Sequence, residues 1–172
     1  GTADGQPFTA ALRRRSYASL PPLHLLQSVP TYDMPALYAP ADAVVLPTRG
    51  EGWGRPHVEA MAMGLPVIAT NWSGHLDFLT TGTGKRTKRY FAPVKYELEK
   101  IPPHAVWQGV LHEESRWAVP DITDARKKMR DVYKNYPKWT KKAKSLSKTL
   151  KGEIYYYNKF NEALALDTSE ET

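Results

Sequence analysis

Two carboxylates, Glu51 and Glu59, bracket the segment EGWGRPHVEAMAMGLPVIAT. A carboxylate accepts two hydrogen bonds at once, so Glu59, on the helix two turns beyond Glu51, suits a vicinal diol such as a ribose 2′,3′ pair. Glu51 stands in the turn before that helix, where it can accept hydrogen bonds from the hydroxyls of a second sugar. Gly52 and Gly54 permit close backbone approach and unusual dihedral angles. The amides of Trp53, Gly54 and Arg55 then face outward at a helix N-terminus, where an anion is favoured. Ribose, diphosphate and sugar together describe a nucleotide-sugar. Two glutamates at this spacing are common by chance; the weight comes from their combination with the glycine–aromatic–glycine turn and the flanking apolar runs.

These groups must be held by a strand, a loop, a helix and a second strand. Ala43 to Leu46 is an apolar run without polar alternation, as expected of a parallel strand covered on both faces. Pro56 opens the helix, where its missing N–H costs little, and Gly64 closes it near Met63. Pro66 to Ala69 reads as the next buried strand, and 74–79 as a short helix. Upstream, Leu23 to Val29 reads as a strand, and Asp33 as the cap of a short helix with Pro35 in its first turn. Alternating strands and helices predict an α/β fold, a Rossmann-like parallel sheet with flanking helices and a helical C-terminal segment. The expected organisation is an irregular lead-in over 1–22, one domain over 23–166 and a polar tail over 167–172. Within the domain, 81–120 reads as a surface insertion with a short strand near Tyr90 to Val94, and 121–166 as helices. Asp121 caps the first of these, with Ile122, Ala125, Met129, Val132 and Tyr133 as its apolar stripe. Trp139, Ala143, Leu146 and Leu150 form the stripe of a second, and Tyr156, Phe160, Ala163 and Leu164 that of a third.

The chain has 172 residues, no cysteine and a net charge of +6. Disulfides and thiolate metal sites are excluded, and no apolar run approaches the ~20 residues of a membrane span. With no targeting signal visible, a soluble cytoplasmic or organellar protein is expected. The basic clusters at 13–15, 85–89 and 138–151 read as solvated surfaces, and the absence of a nucleic-acid module argues against a nucleic-acid partner. His24, His57, His75, His104 and His112 lack metal-ligand spacing. The His57 side chain reads as structural or solvated; Trp53 can pack under a ligand or into the core. Ser73, His75 and Asp77 are too close in sequence to converge as a triad and lack a nucleophile elbow. Trp107 and Trp117 are expected to pin the insertion to the sheet.

The run Pro47-Thr48-Arg49-Gly50-Glu51-Gly52-Trp53-Gly54, followed by Glu59-Ala60-Met61-Ala62-Met63-Gly64-Leu65-Pro66-Val67-Ile68-Ala69, resembles the E-x7-E signature of the retaining glycosyltransferases of family 4, which have the GT-B fold. The lead-in from Leu37 to Ala43 and the Trp117 to Asp121 segment are similar to that family as well, so the likeness runs from about Leu23 to Asn135. His75 departs from the Gly or Pro more usual there. The resemblance implies a donor-binding domain that transfers a hexosyl group from a UDP- or GDP-sugar without metal or other cofactor. It implies Glu51 as the catalytic carboxylate at the donor sugar and Glu59 at the ribose. Gly52, Trp53, Gly54 and Arg55 would lie at sugar or phosphate, and main-chain groups around Val29 at the base. The acceptor would bind an N-terminal domain missing from this chain, or a partner chain, leaving the isolated chain inactive. The alternative is a non-catalytic glycosyltransferase-like subunit of a larger assembly.

Overall fold

A computed structural model describes residues Leu26, Val29, Pro30 and 33–148. The chain divides into two units, Gly1–Asp33 and Met34–Thr172, and everything below except Val29 concerns the second. Its centre is a three-stranded parallel sheet in the order β1 (Val44–Leu46), β2 (Val67–Thr70), β5 (Ala92–Val94). Val45 pairs with Ile68, and Ile68 in turn with Ala92. Every residue of β2 is buried, so its VIAT run carries no polar alternation. Pro93 lies in β5, an edge strand of this sheet, where a missing N–H interrupts no ladder.

Helix α1 (Met34–Tyr38) follows Asp33, and α2 (Arg55–Ala62) connects β1 to β2. Helix α2 has Pro56 in its first turn and ends at Met63, followed by Gly64 at φ 75°, the left-handed conformation that stops a helix. The short α3 (Leu76–Leu79) follows β2. A two-stranded hairpin, β3 (Thr80–Thr81) with β4 (Lys88–Arg89), then leads back into β5. A second antiparallel hairpin pairs β6 (Tyr96–Lys100) with β7 (Arg116–Pro120). Helix α4 (Ile122–Lys134) follows, capped by the Asp121 carboxylate, which accepts from the Thr123 and Asp124 amides. A further helix, α5, covers 136–148.

The sheet is covered on both sides, because β2 sends alternate residues to opposite faces. Val67 and Ala69 pack with Val58, Met61, Leu79 and Phe91 on one side, while Ile68 packs with Ala92, Val94, Ala125 and Val132 on the other. Helix α5 serves both clusters: Ala143 and Leu146 join the first, Trp139 the second. Asp124 is buried at the junction of β5, β6 and α4. It accepts the Lys95 amide at 2.9 Å, while the Asp121 amide donates to the Lys95 carbonyl at 2.8 Å.

The structure corrects three expectations. The 81–120 segment is more than a surface excursion: its strand within 90–94 is β5, a member of the parallel sheet, and Phe91, Ala92 and Val94 are fully buried. In the α4 stripe, only Ala125 and Val132 are buried; Ile122, Met129 and Tyr133 are exposed. Met129, Val132 and Tyr133 line an apolar cleft of about 360 Å³ with Val45 and Ile68. Trp107 does not pin the segment to the sheet among the described residues: it is 66% exposed, in a Trp107–Leu111 turn that closes on its own backbone. Trp117 does anchor: Arg49 lies over its ring at 4.5 Å, and the Ala118 amide donates to the Arg49 carbonyl. Leu150 and the expected third helix lie outside the described residues, as does most of the 23–29 strand.

Candidate functional site

The loops that leave the carboxyl ends of β1 and β2 meet. In open α/β sheets this edge is where ligands gather. The first loop carries Glu51, Gly52, Trp53 and Gly54 into α2; the second carries Trp72, Ser73, Gly74 and His75 into α3. Three hydrogen bonds join them. The Glu51 amide donates to Ser73 Oγ at 3.0 Å, and that hydroxyl donates to the Glu51 carbonyl at 2.6 Å. The Gly74 amide donates to the same carbonyl at 3.2 Å. Gly74 is required by proximity: a Cβ on it would lie 1.8 Å from the Gly52 carbonyl oxygen.

Gly54 caps α2 in the left-handed conformation, φ 87°, and no side chain caps the helix. The Gly54 carbonyl accepts the His57 and Val58 amides, and Pro56 has no N–H. The amides left for a ligand to reach at this terminus are those of its first residues, Gly54 and Arg55. Of the two glycines expected to serve backbone geometry, Gly54 does so. Gly52 lies in open space, with nothing within 4 Å of an added Cβ. The Trp53 ring, 39% exposed, packs edge-on against Phe78 at 5.3 Å between centroids.

Glu51 is half-buried, and its carboxylate has no hydrogen-bond partner among the described residues. Glu59 is held from two sides. Tyr38 donates its phenol to Oε2 at 3.1 Å, and Arg55 stands 3.6 Å from Oε1. Burial, then the hydrogen bond and charge of Glu59, push the Tyr38 phenol up to about 12, so it stays a donor at physiological pH. The Arg55 side chain is 63% exposed, which makes its ion pair worth little to stability and leaves the guanidinium open to an anion.

Beneath the turn lie two fully buried imidazoles, His57 and His75, stacked with centroids 4.5 Å apart and planes within 5°. His57 Nε2 faces the Leu46 carbonyl at the end of β1 at 3.4 Å. His75 Nε2 faces the Thr70 carbonyl at the end of β2 at 2.7 Å. Burial, then His75, lowers the His57 pKa below its ordinary value. No triad forms, because Ser73 is engaged with Glu51 and His75 with Thr70.

Of the sequence-derived candidates, Glu51, Gly52, Trp53, Gly54, Arg55 and Glu59 thus share one turn and one helix face region at the sheet edge. Val29 is half-buried in the first unit. Sequence reasoning missed Tyr38, Ser73 and Gly74 as supporting groups. Their hydrogen bonds to the site span 21 to 23 residues, and only the Ser-Gly pair following a predicted strand hints at a turn. Among the described residues no group of three or more His, Asp or Glu could hold a metal ion, and no helix is long and apolar enough to cross a membrane.

Comparison with known proteins gives two matches. The family described as glycosyl transferases group 1 matches residues 2–97, more than half of the chain. The O-antigen chain mannosyltransferase B of Escherichia coli is 45% identical over 49 residues. That stretch covers 28% of this chain and 13% of that relative. No solved structure matches.

Proposed function

This chain belongs to the glycosyl transferases group 1, and from that membership we propose that its second unit is the donor-binding domain of a retaining, family 4-type enzyme of GT-B architecture. The donor is a UDP- or GDP-sugar. Glu59 accepts the ribose hydroxyls, Glu51 contacts the transferred hexose, and the Gly54 and Arg55 amides with the Trp53 backbone meet diphosphate or sugar. The mannosyltransferase among the relatives is a hexosyl-transfer enzyme by name, which agrees with a hexosyl donor. The observation that carries the reading is Glu59, oriented by Tyr38 and Arg55 beside a helix terminus that no side chain caps.

Transfer breaks the bond between the anomeric carbon and the diphosphate and forms one from that carbon to an acceptor hydroxyl on the same face. The nucleoside diphosphate departs with the electron pair and its oxygen takes up the acceptor's hydroxyl proton, while the amides of the turn and Arg55 stabilise the charge that develops. The donor site needs no metal in this scheme. The acceptor is held by a facing domain or partner chain.

Calorimetric titration of UDP and GDP into the chain tests the assignment. Glu59→Ala leaves a diol without its acceptor, so affinity is expected to fall about tenfold or more, the equivalent of one to two lost charge-assisted hydrogen bonds. Nucleotide binding unchanged in the variant removes Glu59 from the ribose.

A further inference from the structure

The stacked imidazoles are unexplained by the donor assignment itself. Each bridges a strand end to a ligand-bearing loop: His57 joins Leu46 to the first turn of α2, and His75 joins Thr70 to the start of α3. Both strand ends offer a carbonyl, which only accepts, so Nε2 must be the protonated nitrogen in each ring. Nδ1 is then a lone-pair nitrogen, and in both rings it is buried without a partner. In His57 that nitrogen abuts the turn: a Cβ on Gly54 would lie 2.8 Å from Nδ1. A second proton on His57 would therefore place an N–H against Gly54, whose backbone favours the cation but makes no formed hydrogen bond to the ring, in a buried stack on another imidazole. Two other ionisable groups bear on His57: Glu51 in the turn favours its cation, and His75 opposes it; burial opposes it more strongly.

We propose that the His57–His75 stack is a positioning device for the donor-binding turn, that it requires a neutral His57 ring, and that acid therefore loosens the Gly52-Trp53-Gly54 turn and weakens its hold on the nucleotide. The inference rests on the donor reading above for its ligand, but not for its geometry. The rings do not touch the donor. They fix the floor on which the turn sits, with Gly54 lacking a side chain so that the His57 ring can occupy that space. The exit for a charged His57 lies through that turn, since Gly52 and Trp53 above it are exposed while His75 and the sheet close the other side.

Two measurements on the full chain test this. Imidazole NMR with nitrogen-15 is expected to show the Nε2–H tautomer for His57. Its titration, displaced below the ordinary imidazole range, should be followed by the backbone amides of Gly52, Trp53 and Gly54. UDP and GDP affinity is then measured against pH for the wild type and for His57→Gln, which keeps a donor for the Leu46 carbonyl but takes up no proton. Wild-type affinity is expected to fall by up to tenfold per pH unit through the His57 transition, beyond any slope in the variant, whose residual slope belongs to the nucleotide's own ionisation. Identical profiles in the two proteins, an Nδ1–H tautomer, or turn amides indifferent to the His57 transition would each overturn the proposal. Where neither nucleotide binds, the donor reading fails, and the amide titration still decides the role of the stack. That wild-type titration also decides it where the glutamine variant does not fold.

Discussion

Gly74→Ala should damage the site from a position that touches no ligand. A Cβ at residue 74 would stand 1.8 Å from the Gly52 carbonyl oxygen, 2.7 Å from its carbon and 3.0 Å from the Glu51 carbonyl oxygen. All three are backbone atoms, so no side-chain rotation relieves the clash, and the two loops must part by more than an ångström. The parting falls on the bonds that join them, at 3.2, 3.0 and 2.6 Å, and all three pass out of bonding range. Each such bond is worth about 1 kcal/mol net, and alanine recovers about 0.4–1 kcal/mol by restricting the unfolded chain. The balance is a destabilisation of about 2–3 kcal/mol. Urea unfolding should register it as a lower midpoint at unchanged slope. Gly50→Ala and Gly52→Ala are the controls, since an added Cβ meets nothing within 4 Å at either, and both should stay within about 0.5 kcal/mol of wild type. Nucleotide affinity should fall in Gly74→Ala, because the displaced loop carries the Gly54 and Arg55 amides proposed to meet the diphosphate. A Gly74→Ala midpoint that matches Gly50→Ala would refute the close approach and the coupling built on it.

Three further outcomes are expected. Tyr38→Phe keeps the ring packing and removes the donor to Glu59, so nucleotide affinity should drop by about five- to tenfold, one neutral-to-charged hydrogen bond, with little change in unfolding midpoint; calorimetry showing wild-type affinity would deny Tyr38 a part in orienting Glu59. Asp124→Ala strands the Lys95 amide and should cost about 1–3 kcal/mol in urea unfolding, while Lys128→Ala, at 3.9 Å from the same carboxylate, should cost under about 1 kcal/mol. His57 has a lowered folded-state pKa, so below about pH 6.5 the unfolded chain binds the proton that the folded chain refuses. Its contribution is therefore whole above that pH and is lost as pH falls toward the depressed folded value. Unfolding free energies measured against pH should show that loss in the wild type and not in His57→Gln.

What the sequence disclosed was local. The β1–α2–β2 unit is written in apolar runs and in punctuation that acts within a few residues: Pro56 at the helix start, Gly64 in the left-handed conformation at its end, Asp121 as a side-chain cap. The candidate site was legible for the same reason, since Glu51 to Glu59 is one contiguous turn and helix. β5 was only half legible. A three-residue strand containing a proline looks like loop until its partner, β2, is known, and that pairing joins residues 24 apart in the chain. Trp107 misled because a tryptophan carries a strong expectation of burial, and nothing in the residues around it announces that its turn faces away from the sheet.

The supporting groups escaped notice because each acts on a loop distant in sequence. Ser73 makes the point most sharply. It is the one non-glycine among the described residues with a positive φ, 87°. A conformation so rarely populated costs on the order of 1–3 kcal/mol and persists only where the surroundings over-determine it. The surroundings are Glu51: its amide and carbonyl take both hydrogen-bonding capacities of the Ser73 hydroxyl, and the neighbouring Gly74 amide adds a third bond to the same carbonyl. Two of those three bonds depend on a side chain that glycine, the residue best suited to that backbone, does not have. Serine at this position therefore trades local comfort for a tie between loops. The tie also fixes the main chain of the residue proposed to meet the transferred sugar, so strain at position 73 and aim at position 51 are one mechanical fact.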